Sequence, residues 1–240
     1  MRTDALFRQL DRLHAWLLPW RCLLCGDAGA GGLDLCAACA AELPRNTSCC
    51  ARCALPLPSP VALCGGCQRK PPPWDAAWAP FRYGWPLDRL EARYKFGRDL
   101  AAGRTLAELW RRLPPPATRP GLILPVPLHR ARLRQRGYNQ ALELARPLGR
   151  VLDVPVQHDR LLRLRATAAQ TELDAAARRR NVRGAFVLRE GAALPAHVAL
   201  LDDVMTTGAT LAECARVLRR AGVERVEVWA LARAPSPRGK

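Results

Sequence analysis

The stretch Ala196–Gly222, AHVALLDDVMTTGATLAECARVLRRAG, decides how this chain is read. Its front, Val198 to Leu201, is a short unbroken apolar run, the pattern of a parallel strand covered on both faces. The run ends in Asp202 and Asp203. Beyond them comes Thr206-Thr207-Gly208-Ala209-Thr210, and then Leu211, Cys214, Ala215, Leu218 and Ala221 recur at helical spacing until Gly222. Strand, polar loop and helix follow one another, which is the unit of an α/β sheet.

Ligands of open α/β sheets collect beyond the carboxyl ends of the strands, so the loop is a candidate site on topology alone. Gly208 permits close approach of backbone to ligand, the first helix amides point outward, and the hydroxyls of Thr206, Thr207 and Thr210 stand beside them. Together they suit a phosphate. Asp202 and Asp203 would repel a phosphate; they suit a sugar diol or a Mg²⁺ shell next to it. A phosphorylated sugar satisfies both halves. The alternative is an acid pair that merely ends a strand and caps a helix. The chain contains neither G-x-x-x-x-G-K-[ST] nor G-x-G-x-x-G, so triphosphate and dinucleotide readings have no support. Cys214 reads as a small buried helix residue.

Working outward, Gly121–Pro127 predicts a second apolar strand, and just past it Arg130, Arg132, Arg134 and Arg136 alternate with other residues. Such a run is an anion receptor suited to pyrophosphate, or else a solvated charged face. His129 is a ligand or a supporting residue. Helices are expected over Leu87–Phe96, Leu100–Leu113 and about Gln140–Leu152, a strand or hairpin over Trp74–Tyr83, and a final alternating strand over Val226–Ala232. Residues 161–184 are rich in arginine and read as a hood over an anionic substrate, with Phe186–Leu188 returning the chain to the sheet. Lys95 reads as a solvated helix-end lysine, although lysine otherwise occurs only at positions 70 and 240.

Upstream, Cys22-x2-Cys25 and Cys36-x2-Cys39 recur 28 positions later as Cys50-x2-Cys53 and Cys64-x2-Cys67. Two residues between cysteines let one tight turn present both sulfurs to one metal, so the repeat predicts two Zn²⁺ ions, each held by four thiolates. The sequential wiring, four cysteines in order on each ion, follows the repeat; an interleaved cross-brace is the alternative. Cys49 stands outside the register and is a spare thiol, or replaces Cys50. So short a segment cannot hold a core of its own, and ligation, worth on the order of 10 kcal/mol per site, would fold it. Pro71-Pro72-Pro73 would then form a stiff hinge.

Composition sets the bounds. The 240 residues carry a formal charge of +17, almost all from arginine, which favours polyanions such as nucleic acid or phosphorylated small molecules, or reflects coding bias. Leu6, Leu10, Leu13 and Leu17 share a helical face broken by Asp4 and Asp11, an amphipathic helix rather than a signal peptide. No apolar run approaches the roughly 20 residues that span a membrane. A reducing, cytoplasmic setting is therefore expected, with no membrane insertion and with disulfides disfavoured.

LLDDVMTTGAT resembles the phosphoribosyl pyrophosphate (PRPP) motif of type I phosphoribosyltransferases. The whole layout resembles the ComF family of bacterial proteins associated with DNA uptake in natural transformation. That likeness is carried by the double C-x-x-C repeat, Pro125-Val126-Pro127-Leu128, Arg136-Gly137-Tyr138-Asn139-Gln140, Arg163, Thr167, Gln170, Asn181-Val182 and the DDVMTTGAT loop; Lys95 matches its family segment only in part. The resemblance implies an α/β fold: a type I phosphoribosyltransferase-like parallel sheet flanked by helices, behind an N-terminal double zinc ribbon. The divisions would be 1–20, an amphipathic helix; 21–70, the ribbons; 71–75, a proline linker; 76–235, the transferase-like domain; and 236–240, a tail.

The resemblance further implies PRPP and Mg²⁺ as partners, bound by Asp202, Asp203, Thr206, Thr207, Gly208, Thr210, Val126, Arg130, Arg136 and Asn139. In a catalytic domain an acceptor would attack C1 of the ribose while the bond to diphosphate breaks. Asp202 and Asp203 would orient the sugar, and Arg130, Arg134 and Arg136 would stabilise the leaving group. Three functions compete: a transferase for an unidentified acceptor, a factor that handles single-stranded DNA, and an adaptor for uptake or recombination proteins.

Overall fold

The structure is a computed structural model that describes residues 19–59, 61–166 and 180–235. The expected N-terminal helix, Thr167, Gln170, the middle of the hood and the tail lie outside the described residues.

A parallel sheet organises the chain. It comprises β1 (Ala76–Trp78), β2 (Phe81–Arg82), β3 (Leu122–Pro125), β6 (His197–Met205) and β7 (Arg225–Arg233), in the order β1-β7-β6-β3 with β2 also on β7. Val198, Ala199, Leu200 and Leu201 are all buried, as an apolar strand covered on both faces requires. Strand β6 runs on through both aspartates to Met205, whereas its neighbour β3 stops at Pro125, opposite Leu201. Asp202 and Asp203 therefore lie where one flank of their strand is open.

Of the strand or hairpin expected over Trp74–Tyr83, the strand reading holds: β1 and β2 both run parallel to β7, at successive registers. Strand β7, the expected final alternating strand, is buried on both faces. The polar member of that pattern, Glu227, is buried with partners: Thr118 Oγ1 at 2.7 Å, Trp229 Nε1 at 3.1 Å and the Arg225 guanidinium at 2.9 Å.

Helices α3 (Leu87–Phe96), α4 (Leu100–Arg111) and α6 (Gln140–Leu152) form where the apolar periodicity places them. Asp99 caps α4 through the amide of Ala102 at 3.1 Å, and Asn139 caps α6 through Ala141 at 3.1 Å. Helix α7 (Ala209–Arg220) follows the threonine loop and buries Leu211, Cys214, Ala215 and Leu218. Phe186–Leu188 (β5) does not return to the main sheet: it pairs antiparallel with β4 (Leu161–Arg163). This ribbon is fixed to α7 by the bond from Gly184 N to Glu213 Oε1 at 2.8 Å.

Among its described residues, the cysteine-rich segment contributes two short helices, α1 (Ala37–Ala41) and α2 (Gly65–Arg69). Its side chains enter the cores on the two faces of the sheet. Leu33, Leu35 and Leu43 pack with Leu87, Leu106 and Trp110, whereas Cys50, Cys53, Cys64 and Cys67 share a core with Trp74, Met205 and Val228. Trp74, next to the triple proline, is buried, so this joint is packed.

Candidate phosphosugar site and thiolate centres

The open end of β6 faces a cavity of about 580 Å³ lined by Asp202, Asp203, Thr206 and Thr210, and by Val126, Asn139, Arg132, Arg136 and Arg163. Tyr83, Glu91, Lys95 and Phe96 of the β2–α3 region close another side. Cavities of this size suit a small ligand.

Each wall has a local cause. Met205 ends the strand, and Gly208 takes φ +71°, a left-handed turn that starts α7. A Cβ there would also lie 3.0 Å from Met205 Cε and 3.0 Å from Trp74 Cη2, so this glycine serves packing as well as the turn. Thr207 Oγ1 accepts from Ala209 N at 3.3 Å. The cavity lining includes Thr206 and Thr210 but neither Thr207 nor Gly208, whose place is in the turn. Asn139 Nδ2 donates to Val126 O at 3.1 Å, tying the start of α6 to the end of β3.

The alternating arginines fold as a helix, α5 (Arg130–Arg136), with His129 Nδ1 accepting from Ala131 N at 3.3 Å as its cap. Helical spacing puts Arg132 and Arg136 on one face and Arg130 and Arg134 on another. Arg132 and Arg136 line the cavity, while Arg130 and Arg134 do not. Of the three arginines expected at a diphosphate, Arg130, Arg134 and Arg136, the cavity lining keeps Arg136 and adds Arg132, because an extended chain and a helix sort the same four residues differently. Burial lowers the proton affinity of Arg136 and of Arg163, and the nearby Arg132 charge lowers both further. Crowded guanidiniums of this kind are stabilised by an anion.

The acids differ from one another. Burial, reinforced by the neighbouring Asp203 charge, pushes the Asp202 carboxyl well above its ordinary range. Asp203 is equally desolvated, yet Lys95 Nζ lies 3.0 Å from its Oδ2 and holds it below the ordinary value. Lys95 also meets Glu91 Oε1 at 3.1 Å; burial and the Asp203 charge raise Glu91 to about 7. Lys95 is therefore no solvated helix end. Glu91 and Lys95 occupy i and i+4 of α3, and their approach to Asp203 spans distant sequence. The available signal was a lysine, one of three, in an arginine-rich chain.

The cysteines form two sets, Cys22, Cys25, Cys36, Cys39 and Cys50, Cys53, Cys64, Cys67, with the ligand atoms of each set within 4.8 Å of one another. The wiring is sequential, and Cys49 lies outside it. Cys25 and Cys36 Sγ are 3.7 Å apart, as are Cys53 and Cys64 Sγ. These separations greatly exceed a disulfide bond of about 2.05 Å. They match the edge, about 3.8 Å, of a tetrahedron with Zn–S distances near 2.3 Å. Amides point at the sulfurs, Cys39 N to Cys36 Sγ at 3.4 Å and Cys64 N to Cys50 Sγ at 3.3 Å, as thiolate ligands require. Both sets fit structural zinc, which when bound would fasten each pair of turns.

The tryptophans are core residues in the main. Trp78 meets Trp110 and Trp229 at centroid distances of 5.5 and 5.3 Å, Trp74 is buried, and Trp20 lies under Arg104 at 4.3 Å. Among the described residues, no helix is long and apolar enough to cross a membrane.

Two thiolate ribbons packed against a parallel α/β sheet with a polar loop at its carboxyl edge define a double zinc ribbon protein whose fold is consistent with a phosphoribosyltransferase-like domain. The family description "Double zinc ribbon domain" matches residues 13–74. Competence protein F of Haemophilus influenzae is 38% identical over 224 residues, covering 90% of this chain and 97% of the relative. DNA utilization protein YhgH of Escherichia coli K12 is 35% identical over 226 residues, covering 90% and 98%. Competence protein ComFC of Streptococcus pneumoniae is 25% identical over 154 residues, or 64% and 66%. The chain belongs to the ComF/YhgH family.

Proposed function

We propose that the cavity at the end of β6 binds a phosphorylated ribose, PRPP or ribose 5-phosphate, and that the protein uses this site in the handling of single-stranded DNA during uptake. One observation carries the sugar-phosphate reading. Asp202 and Asp203 share a cavity with Thr206, Thr210, Arg132 and Arg136, so acceptors for a diol and donors for phosphates face one hollow. In this reading Asp202 and Asp203 hold the ribose hydroxyls and the loop 206–210 takes the 5′-phosphate. Arg132 and Arg136 take a diphosphate, with Mg²⁺ as its counter-ion.

The DNA role rests on the names of the relatives, competence and DNA utilization proteins, and on the +17 charge. Trp85 and Phe96 are exposed, Phe96 at the cavity rim beside Arg98, where aromatic and cationic groups together suit unpaired bases. A metabolic transferase acting on an unidentified acceptor is the second reading, favoured by the same open site.

Calorimetry with Mg²⁺ tests the first part: PRPP or ribose 5-phosphate should bind, and an Asp202→Ala, Asp203→Ala double variant should lose at least tenfold in affinity. Unchanged affinity in a folded double variant would remove the ribose assignment. Pyrophosphate release across a panel of bases, nucleotides and oligonucleotides separates an enzyme from a binding protein. Affinity for single-stranded DNA should fall steeply with salt, through counter-ion release; a flat response would contradict the DNA reading.

A further inference from the structure

Arg233, the last residue of β7, is buried and opposes Met205 in the sheet. Its acceptors are main-chain carbonyls. Nε donates to Cys53 O at 3.0 Å, and Nη1 donates to Met205 O at 3.0 Å, to Ala234 O at 2.6 Å and to Thr206 O. One guanidinium thus joins a knuckle of the second thiolate cluster to the residues that open the threonine loop. Trp74 makes a second tie: its Nε1 donates to Arg52 O at 2.6 Å, next to Cys53, and its ring packs against Gly208.

A buried guanidinium also needs a counter-charge. A zinc ion held by four thiolates carries a net charge of about −2, so the second cluster, with zinc bound, would supply it at this position. Loss of the metal would free the Cys50–Cys53 turn, the carbonyls of Arg52 and Cys53 would shift, and both ties would slacken. The first cluster has other attachments: Arg93 Nη1 donates to Leu23 O at 2.6 Å, Arg112 Nη2 to Gly31 O at 2.7 Å, and Arg104 Nη2 to Asp34 Oδ2 at 2.5 Å, all on α3 and α4 or the residue after it.

We propose that Arg233 is a positioning residue that makes the threonine loop's grip on phosphate depend on the metal state of the second thiolate cluster, and of that cluster alone. This rests on the sugar-phosphate reading above. Coupling between two sites is reciprocal, so a ligand in the loop must hold the second zinc more firmly. A general structural contribution would affect both clusters.

The test follows zinc transfer from the full chain to a chromogenic chelator, with and without saturating ribose 5-phosphate. One of two zinc ions should be released at least about fivefold more slowly with the sugar phosphate, the lower end of ordinary coupling, and the other at an unchanged rate. In Cys25→Ser, which removes a first-cluster ligand, the zinc that remains should be the protected one. In Arg233→Lys, which keeps the charge but not the fork, zinc content should be retained and the protection should fall below twofold. The wild-type and Cys25→Ser measurements decide the matter even where Arg233→Lys does not fold. Ribose 5-phosphate that binds the wild type calorimetrically but protects both ions equally, or neither, would overturn the proposal. Absence of binding to the wild type would overturn the sugar-phosphate reading and this coupling with it.

Discussion

The two thiolate lobes have the same spacing and the same ligands, yet the fold treats them differently. In the first, Cys25 is exposed and Cys39 half-buried, and the lobe meets α3 and α4 through buried Leu33, Leu35 and Leu43 and through arginines nearer the surface. In the second, Cys50, Cys53, Cys64 and Cys67 are all buried, and the lobe shares its core with Trp74, Met205 and the start of α7. An internal repeat thus fixes local chemistry but not its placement. One ribbon braces the helices; the other forms part of the wall behind the threonine loop.

Substitution of ligands should break the symmetry most. Cys50→Ser is expected to cost most of the roughly 10 kcal/mol that a structural zinc contributes and to abolish cooperative unfolding of the sheet. Cys25→Ser should lose one zinc, retain a cooperative transition and bind ribose 5-phosphate within threefold of the wild type. Metal analysis with thermal denaturation checks both, and equal damage from the two substitutions would erase the distinction.

Gly208→Ala is next. It forces a Cβ into a left-handed turn and against Trp74 and Met205, at a cost of about 1–3 kcal/mol. Ribose 5-phosphate affinity should fall along with the melting temperature. An unchanged affinity would show that the loop is not held in place by this packing.

Helix α3 is the first lobe's route to the cavity, and Glu91 offers a pH test of it. The folded chain keeps the Glu91 proton up to about 7, against a usual 4.5, because of burial and then the Asp203 charge. Between those values it binds more protons than the unfolded chain, so stability falls as pH rises through this window. Melting temperatures from pH 4.5 to 7.5 should decline less in Glu91→Gln than in the wild type. The smallest effect is expected of Arg93→Ala, at most about 1 kcal/mol, since its pair with Asp99 is partly exposed. Its ribose 5-phosphate binding should be unchanged; a tenfold loss would mean that the first lobe also controls the site.

Much of this was legible in the sequence wherever one local signal decided the outcome. The apolar run before Asp202 gives β6, the C-x-x-C repeat gives both thiolate sets, and periodicity places α3, α4 and α6. The arginine run was read as an anion receptor or a solvated face, but which arginines share a face depended on whether it was helix or strand, which alternation along the chain does not decide. Phe186–Leu188 has a strand's composition, yet it pairs with Leu161–Arg163, and short apolar runs do not name their partners. Lys95, Glu91 and Arg233 gain their roles from contacts with Asp203 or Cys53 across long sequence separations. Arg233 in particular sits among many arginines, and nothing local marks it as buried.

The most direct test of the whole account is a crystal structure of the full chain with ribose 5-phosphate and Mg²⁺. The ribose hydroxyls should lie on Asp202 and Asp203, with the phosphate at the amides and hydroxyls of residues 206–210. Density for the sugar phosphate elsewhere on the molecule, with this cavity holding only solvent at saturating ligand, would contradict it.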